Sequence, residues 1–247
     1  MSLKILLAPS ETKESGGNFT FNVENLLFSQ LTQIRKELIQ SYDNIVTSFD
    51  EKQLGNFFGL KKQSDITFYS QKISYSQGLK AIERYSGVAF DYLDYKSLSD
   101  EQKAHIDERV IIFSNLFGFL RADDIICDYR VKQGSDIDDF SPQKLYHSNA
   151  YLLDEYLQND EFLDLRAGYY DKFYKPKRRY TTLKFLKKGK VVSHWAKAYR
   201  GIASRMIALH KIDSIEALIS LNIEGLSLIE IMEKKNIQEI VYEVETK

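Results

Sequence analysis

The stretch RRYTTLKFLKKGKVVSHWAKAYRGIASRMIALHK, residues 178–211, carries the local signals that decide the fold class. Polar and apolar side chains alternate over Arg178–Leu186, which predicts a strand with one buried face. A glycine-containing turn at Lys187–Lys190 follows, so Val191–Trp195 is predicted to return antiparallel. Ala196–Lys211 then places its apolar side chains at helical spacing. A hairpin that leads directly into an amphipathic helix predicts an α+β architecture.

The rest of the chain mixes strand and helix patterns without a strict βαβ rhythm. Strands are predicted at Leu3–Pro9, Val110–Phe113, Phe162–Arg166 and Gln238–Val244. Helices are predicted at Val23–Ser41, Glu51–Phe58, Ser76–Tyr85, His147–Leu157 and Ser214–Leu221, and after a serine cap at Ser99. Val88–Leu93 fits either type. We therefore expect a single domain over residues 1–247, with a mixed β-sheet surrounded by helices.

Composition narrows the class of protein. Of the 247 residues, 43% are hydrophobic and only three are proline, which favours a folded core over disorder. No apolar run reaches 18 residues, and the first residues become polar too soon for a signal peptide, so we expect a cytoplasmic protein without a membrane span. The single Cys127 excludes an intramolecular disulfide and a zinc site built on cysteine pairs. The histidines are isolated, and no metal or cofactor is expected.

Charge is segregated along the chain. Residues 172–212 contain thirteen Lys or Arg and no Asp or Glu, although the whole chain has 34 basic and 35 acidic residues. The remainder therefore sums to −14, from 21 basic and 35 acidic residues. Two interpretations stay open: a surface for nucleic acid or phosphate, or a solvated face that pairs with acidic residues elsewhere. Interleaved aromatic side chains suit base stacking or a core equally.

The predicted helix Ala196–Lys211 shapes the first interpretation. Lys197 and Arg200 lie opposite its apolar arc, with Gly201 and Arg205 beside them. Gly201 would allow a ligand or another backbone to approach closely. His194 ends the preceding strand, so the hairpin, this histidine and the helix N-terminus could meet at one anion. The further candidate phosphate-binding cations in this region are Lys175, Lys177, Arg178 and Arg179.

Two other polar groups are candidate sites. The loop after the first strand offers a hydroxyl, a carboxylate and an ammonium at Ser10, Glu11 and Lys13, which fits either a turn or a binding site. The stretch Asn115–Asp124 has apolar residues on both sides of Gly118. It fits either a helix-hairpin-helix that binds DNA backbone or a buried strand and turn.

Five blocks of the sequence, taken in chain order, are LLAPSETK (Leu6–Lys13), YSGVAFDYL (Tyr85–Leu93), FSNLFGFLRADDIICDYR (Phe113–Arg130), LDLRAGYYDKFYKPK (Leu163–Lys177) and VSHWAKAYRGIASRM (Val192–Met206). In this order the blocks resemble the peroxide stress protein YaaA family, also known as UPF0246. The resemblance covers nearly the whole chain. It implies a YaaA-like α/β fold, a cytoplasmic location, protection against hydrogen peroxide by limiting free iron, and DNA binding through a positive cleft and a helix-hairpin-helix.

The family blocks extend the set of candidate residues. Carried over by motif, the central block contributes Arg121, Asp124, Tyr129 and Arg130, of which Arg121 and Arg130 are candidate phosphate-binding residues. The leading hypothesis is a protein that binds DNA, or another phosphate-bearing ligand, without sequence preference. The alternative is an enzyme that acts on a nucleotide, a base or a nucleic-acid backbone, with candidate catalytic residues Glu11, Asp124, Tyr129 and His194.

Binding is favoured over catalysis because neither GxSxG nor GxGxxG occurs in the chain. Direct iron sequestration is a third hypothesis, in which Asp136, Asp138 and Asp139 would hold a hard cation. The sequence makes no prediction about oligomeric state.

Overall fold

The structure is a computed structural model that describes residues 2–74, 76–136, 142–192 and 195–245. The chain divides into two compact units. The first unit is formed by residues 1–8, 87–111 and 151–247, and the second by residues 9–86 and 112–150. The prediction of a single domain over residues 1–247 stays a prediction.

The described residues form α-helices and strands, which are numbered below in chain order. The α-helices are α1 (Thr32–Ser48), α2 (Glu51–Phe58), α3 (Gln63–Tyr69), α4 (Ala81–Arg84), α5 (Val88–Leu93), α6 (Asp100–Arg109), α7 (Pro142–Tyr156), α8 (Ala196–Leu209) and α9 (Ile215–Ser220). The strands are β1 (Leu3–Leu7), β2 (Phe19–Thr20), β3 (Gln77–Lys80), β4 (Val110–Ser114), β5 (Gly118–Arg121), β6 (Ile125–Cys127), β7 (Glu161–Asp164), β8 (Tyr180–Lys187), β9 (Lys190–Val191), β10 (Leu226–Lys234) and β11 (Ile237–Val244). No helix in these ranges has the length and apolar character needed to cross a lipid bilayer.

The first unit is built on a mixed sheet, which confirms the predicted α+β class. Its strands lie in the order β10-β11-β8-β7-β1. β1, β7, β8 and β11 run parallel to one another, whereas β10 is antiparallel to β11. β9 returns antiparallel to β8 through the predicted glycine turn. Within β8, Thr181, Leu183 and Phe185 are buried, so the alternation read from the sequence marks the buried face.

Helix α8 packs on this unit through its small residues. Ala198, Ala203 and Ala208 are buried, as the helical pattern predicts. Gly201 is also buried: a Cβ there would overlap the carbonyl oxygen of Ala89 and lie 2.8 Å from Tyr92 Cβ. The close approach expected at this glycine is therefore made by the backbone of α5.

The second unit combines a small antiparallel sheet with helices α1 to α4. The strand order in this sheet is β2-β3-β6. The rings of Tyr42, Phe57 and Phe58 pack together in its core. Buried Arg35 donates to the carbonyl oxygens of Phe117 and Phe119, both at 2.9 Å. Backbone oxygens thus satisfy a guanidinium that lies inside the core.

Several local predictions are corrected by the structure. Of the two interpretations of Asn115–Asp124, the structure shows the buried strand and turn and no helix-hairpin-helix: residues 115–117 form a tight turn after β4, and β5 begins at Gly118, where φ is +73°. Ser76–Tyr85 contains strand β3 before the short helix α4, because backbone pairing with β6 overrides a weak helical pattern. The helix predicted from Val23 begins at Thr32. β10 was not predicted at all.

The serine cap predicted at Ser99 is confirmed. Its hydroxyl accepts from the backbone of Gln102, and the Gln102 side chain accepts from the Ser99 backbone at 2.9 Å. This reciprocal pair satisfies two amides that the first turn of α6 would otherwise leave unbonded. Helix starts of this kind are encoded locally and are readable from sequence.

Candidate functional site

The loop after β1 is fixed in the second unit by backbone pairing. Ser86 donates its amide to the Thr12 carbonyl at 3.1 Å, and Glu14 donates to the Arg84 carbonyl at 2.8 Å. Lys13 lies between these two bonds and forms a bridge with Tyr85. Ser10 is joined to Thr12 through their hydroxyls at 3.0 Å. The loop therefore holds the Lys13 side chain in one place.

The Lys13 ammonium lies among aromatic rings and carbonyl groups. Its Nζ is 4.1 Å from the centroid of the Tyr129 ring and 5.2 Å from that of Tyr85. It donates weakly to the carbonyl oxygens of Ser10 and Glu11, at 3.3 and 3.5 Å. Burial lowers the pKa of Lys13 to about 7, an effect that outweighs the opposing charge of Asp128.

Glu11 and Arg130, two predicted site residues, form a pair in the second unit. Arg130 Nη2 lies 3.2 Å from the Glu11 carboxylate, and Nη1 donates to the Glu11 carbonyl at 2.7 Å. Its Nε donates to the Phe58 carbonyl at 3.0 Å. The other Glu11 carboxylate oxygen accepts from the Gln133 amide at 2.9 Å. These bonds tie the first loop to the irregular segment that follows β6.

Tyr129, a candidate catalytic residue, belongs to a buried hydroxyl network. Its hydroxyl lies 2.8 Å from those of both Tyr85 and Ser114. Burial raises the pKa of Tyr129 well above its ordinary value and that of Tyr85 to about 12. Both tyrosines are therefore neutral at physiological pH and can act as hydrogen-bond donors. Burial likewise raises the pKa of the nearby Cys127 thiol to about 12, which argues against a reactive thiolate.

Asp128 was not singled out from the sequence but belongs to the same cluster. Its Oδ1 is buried and has no hydrogen-bond partner within the described part of the chain. Burial raises the pKa of this carboxyl group, and the charges of Arg84 and Lys13 oppose the shift. A buried carboxylate oxygen with no donor is uncommon in folded proteins and marks a place where a ligand or water could bind.

Asp124 and Arg121 serve local structure. The Asp124 carboxylate accepts from the backbone amides of Leu27, at 3.1 and 3.2 Å, and Arg121, at 2.9 Å. Burial raises the pKa of Asp124 to about 6 despite these bonds. The Arg121 guanidinium pairs with Asp123, at 2.9 Å for Nη2. Asp124 closes a turn in this way, and Arg121 has a carboxylate partner in its own segment.

Several cations of the acid-free stretch in the first unit pair with remote carboxylates. Lys177 lies 3.1 Å from Asp154, and Arg179 lies 2.5 Å from Glu233. Arg205 donates to the Leu93 and Asp94 carbonyls, both at 3.0 Å, and so binds the end of α5. The remaining contacts join Lys184 to Glu239, Lys211 to Glu101, and Arg178 to the Leu157 carbonyl. Part of the positive charge is therefore neutralised, as the solvated-face interpretation expects.

Arg200 lies near a buried ion pair. Arg166 contacts the Asp164 carboxylate at 2.6 and 2.9 Å, and both side chains are buried. Burial lowers the pKa of Arg200, and the charge of Asp164 opposes that shift. The polar face predicted for α8 is therefore partly buried at Arg200, and Ser204 is fully buried.

Other lysines of the stretch are exposed. The side-chain amines of five lysines have no carboxylate within 4.0 Å among the described residues: Lys175, Lys187, Lys188, Lys190 and Lys197. Glu243 does accept a hydrogen bond from the backbone amide of Lys188. Three of the five lysines flank the β8–β9 turn, and Lys197 lies in the first turn of α8. The hairpin and helix surface is the name used below for the four lysines at the turn and in α8, whose amines are able to contact phosphate: Lys187, Lys188, Lys190 and Lys197.

A groove of about 1020 Å³ borders this surface within the first unit. Trp195 is 54% exposed at its edge, next to Tyr199. The other lining residues are Tyr92, Lys187, Val192, Ala198, Ile202, Arg205, Met206, Leu209, Glu224, Gly225, Val244 and Glu245. Sequence reasoning noted the aromatic residues of the acid-free stretch but not this groove, because its walls come from segments far apart in the chain.

Some candidates remain untested by these contacts. His194 and the carboxylates Asp138 and Asp139 lie outside the described residues. The ranges that are described contain no group of three or more His, Cys, Asp or Glu side chains placed to hold a metal ion. Convergence of the first loop, the central block and the cationic stretch in one cleft stays a prediction.

Comparison with known proteins assigns the family. Residues 3–231 match the family described as Peroxide stress protein YaaA. The protein Cj0984 of Campylobacter jejuni is 39% identical over 244 residues, covering 98% of this chain and 99% of that protein. A UPF0246 protein of Corynebacterium glutamicum is 30% identical over 214 residues, covering 83% and 84%. The chain therefore belongs to the peroxide stress protein YaaA family, also called UPF0246.

Proposed function

We propose that this protein is a cytoplasmic, peroxide-stress-related protein that binds DNA without sequence preference through the hairpin and helix surface of its first unit. The observation that carries the proposal is the set of exposed lysines at the β8–β9 turn and at the start of α8, whose side-chain amines have no carboxylate within 4.0 Å among the described residues. Lysines of this kind contact phosphates and give affinity without reading bases. Trp195, exposed beside them, could stack on an unpaired base.

The cation pairs narrow the predicted set of phosphate contacts. Lys177, Arg179 and Arg205 already contact carboxylates, so DNA would have to displace those partners. Lys187, Lys188, Lys190 and Lys197 need no such exchange. We therefore assign the main phosphate contacts to these four lysines and a lesser contribution to the paired cations.

Salt dependence of DNA binding tests this assignment. In a variant with glutamine at positions 187, 188, 190 and 197, affinity for duplex DNA should fall less steeply with salt. The slope of log affinity against log salt should become less negative by about 3. The control is the double variant Lys177→Gln/Arg179→Gln, in which the expected change is below about 1 because both cations are already paired. Equal slopes for the quadruple variant and the unmodified protein would contradict the proposal.

We also propose that the protein helps to limit free intracellular iron during peroxide stress, as the family resemblance suggests. A strain without the protein should contain more chelatable iron after peroxide treatment, measured by electron paramagnetic resonance of the chelated ferric ion. Reintroducing the unmodified chain should restore the lower level. Identical iron levels with and without the protein would contradict this part.

The alternative function, an enzyme acting on a nucleotide, a base or a nucleic-acid backbone, is favoured by a different observation. In the second unit, Lys13 and Asp128 lie in one polar cluster but have no strong partner of their own, unlike Glu11, Arg130 and Asp124. Turnover of a nucleotide or nucleic-acid substrate that Lys13→Met abolishes, and that the quadruple lysine variant retains at saturating substrate, would support the enzyme.

A further inference from the structure

The second unit contains an amine whose surroundings differ from those of an ordinary surface lysine. Lys13 Nζ lies over the Tyr129 ring at 4.1 Å, and no carboxylate lies within 4.0 Å among the described residues. Its hydrogen-bond acceptors are two carbonyl oxygens at 3.3 and 3.5 Å, which are long for an ammonium. Packing therefore holds the Lys13 amine in place, and the amine forms no ion pair with a described residue.

Neighbouring cations in the same cluster are committed to structure. Arg84 is fully buried and donates to the carbonyl oxygens of Glu14, Gly16, Gln77 and Ile126. Arg130 contacts Glu11 and Phe58. Lys13 donates only two long hydrogen bonds, so its ammonium retains hydrogen-bonding capacity, and the residue is partly exposed.

Asp128 supplies a second uncommitted group. Its Oδ1 is buried and has no hydrogen-bond partner in the described ranges. The Tyr129 hydroxyl bonds to those of Tyr85 and Ser114, each at 2.8 Å, and this network keeps its part of the cluster neutral. An amine and a carboxyl group with a raised pKa are the two groups that imine formation needs: a nucleophile and a proton carrier.

We infer that Lys13 is a nucleophile that forms an imine with an aldehyde or ketone bound beside Tyr129 and Asp128. The nitrogen lone pair forms a bond to the carbonyl carbon, and the first amine proton passes to the carbonyl oxygen, which gives a carbinolamine. The second amine proton then passes to the resulting hydroxyl group, which leaves as water while a carbon–nitrogen double bond forms. No oxidant or reductant takes part. Asp128 lies near enough to influence Lys13 electrostatically, and we assign the proton transfers to its carboxyl group through an intervening water or the bound carbonyl compound.

The lowered pKa of Lys13 supports this assignment. Only the neutral amine attacks a carbonyl, and a group with a pKa near 7 is about half neutral at physiological pH. The titratable or charged groups that affect this pKa or lie against the amine are Glu11, Tyr85, Cys127, Asp128, Tyr129 and Arg130. The inference rests on the alternative function and is independent of DNA binding by the first unit.

Two sources could supply the carbonyl group: a free small aldehyde, or the open-chain sugar of an abasic site in DNA. Two probes distinguish them. Glyoxylate represents the small aldehyde, and a duplex oligonucleotide with one abasic site represents the DNA source. Each is incubated with the full chain and sodium cyanoborohydride, which reduces an imine to a stable amine, and the modified lysine is located by peptide mass spectrometry.

We expect the adduct to form on Lys13 with at least one probe. At pH 7 its yield should exceed that on the exposed Lys197 on the order of 100-fold, because the lowered pKa of Lys13 leaves about half of its amine neutral. The rate at Lys13 should rise from pH 6 to pH 8 and then level. Lys13→Met should lose the adduct, and Lys197→Met should keep it.

The outcomes separate the hypotheses. Adduct with glyoxylate alone supports the imine site and contradicts a nucleic-acid substrate, whereas adduct with abasic DNA supports both. An adduct spread evenly over exposed lysines, or absent from Lys13 with both probes, overturns the inference. This reading is made on the unmodified chain, so it stands even where Lys13→Met fails to fold.

Discussion

Two pairs of cations, one pair in each unit, are held in opposite ways. In the first unit, Lys177 and Arg179 lie at the surface and meet carboxylates across water-accessible contacts. In the second unit, Arg35 and Arg84 are fully buried and donate mainly to backbone carbonyl oxygens. The first arrangement leaves charge available to a polyanion, because exposed ion pairs are weak and exchange readily. The second fixes the backbone around a polar cluster and leaves little charge to exchange.

The comparison shows that the density of charged residues along the sequence predicts exchangeable surface charge but not a chemically unusual side chain. The segment with thirteen cations and no acid contains the exchangeable surface charge. The chemically unusual amine, Lys13, lies in a segment whose composition is unremarkable. A ligand that needs many weak contacts would bind the first unit, and one that needs a few fixed groups would bind the second.

The largest expected effect comes from removing a buried cation. Arg84→Met should lower the free energy of unfolding by about 3 kcal/mol or more, because it leaves the carbonyl oxygens of Glu14, Gly16, Gln77 and Ile126 without their donor. Arg179→Met, which breaks an exposed pair with Glu233, should cost less than about 1 kcal/mol. Urea denaturation measures both. Similar losses of unfolding free energy in the two variants would contradict the difference described between these cations of the two units.

A buried carboxyl group of the second unit should make stability depend on pH. The pKa of folded Asp124 is about 6, above the ordinary aspartate value of about 3.9, so its contribution is greatest below pH 4. That contribution should fall by about 2–3 kcal/mol as pH rises to 7. Asp124→Asn should remove this part of the slope, as followed by urea denaturation at several pH values. The exposed Glu233→Gln serves as the control, and an unchanged slope in Asp124→Asn would contradict the buried position.

Gly201 tests whether the face of α8 that it occupies packs on protein or stays open to a ligand. Gly201→Ala should destabilise the chain by about 2 kcal/mol, because the new Cβ overlaps the Ala89 carbonyl oxygen. Gly168→Ala is the matched control, since the nearest atom to its Cβ is 3.9 Å away. Thermal unfolding monitored by circular dichroism measures both. A stable Gly201→Ala that loses DNA binding would instead favour the ligand role.

The smallest expected effect has the opposite sign. Burial disfavours charged Lys13, so its folded pKa of about 7 lies below the ordinary lysine value of about 10.4. The resulting penalty is fully present below pH 7 and disappears as pH rises to about 10. Complete burial would make this penalty several kcal/mol, but Lys13 is partly exposed and the variant also loses the contacts of the ammonium. Lys13→Met should therefore stabilise the protein by about 1 kcal/mol at pH 7, and by nothing measurable at pH 10. Equal urea midpoints for the two proteins at pH 7 would contradict the strained position of this amine.

Local elements were predictable because their signals lie within a few residues. The Ser99 cap, the β8–β9 hairpin and the helix that begins at Ala196 form as the sequence indicates. The sequence left two interpretations open for Asn115–Asp124, because two apolar runs around a glycine have the same pattern in a hairpin of strands as in a helical hairpin; the structure shows the strands. β10 failed because its exposed surface gives no alternation of buried and exposed side chains.

Candidate residues followed the same rule. Glu11 and Lys13 were chosen for their position after a strand, and the structure places both in a polar cluster with Tyr129 and Arg130. Asp128 was missed because nothing in its local sequence indicates that one oxygen is buried without a donor. Gly201 was identified as a point of close approach, but only the packing of α5 shows what approaches it.

The sequence by itself determined the family, the α+β class and the segregation of charge, because these depend on composition, order and short-range pattern. Tertiary structure alone decided which cations keep their charge available and which buried amine has no carboxylate beside it. Arg179 meets Glu233 from 54 positions away, and Arg130 meets Glu11 from 119 positions away. Pairing and burial over such separations depend on how strands and helices pack, and that packing sets both the pKa of a side chain and its freedom to bind a ligand.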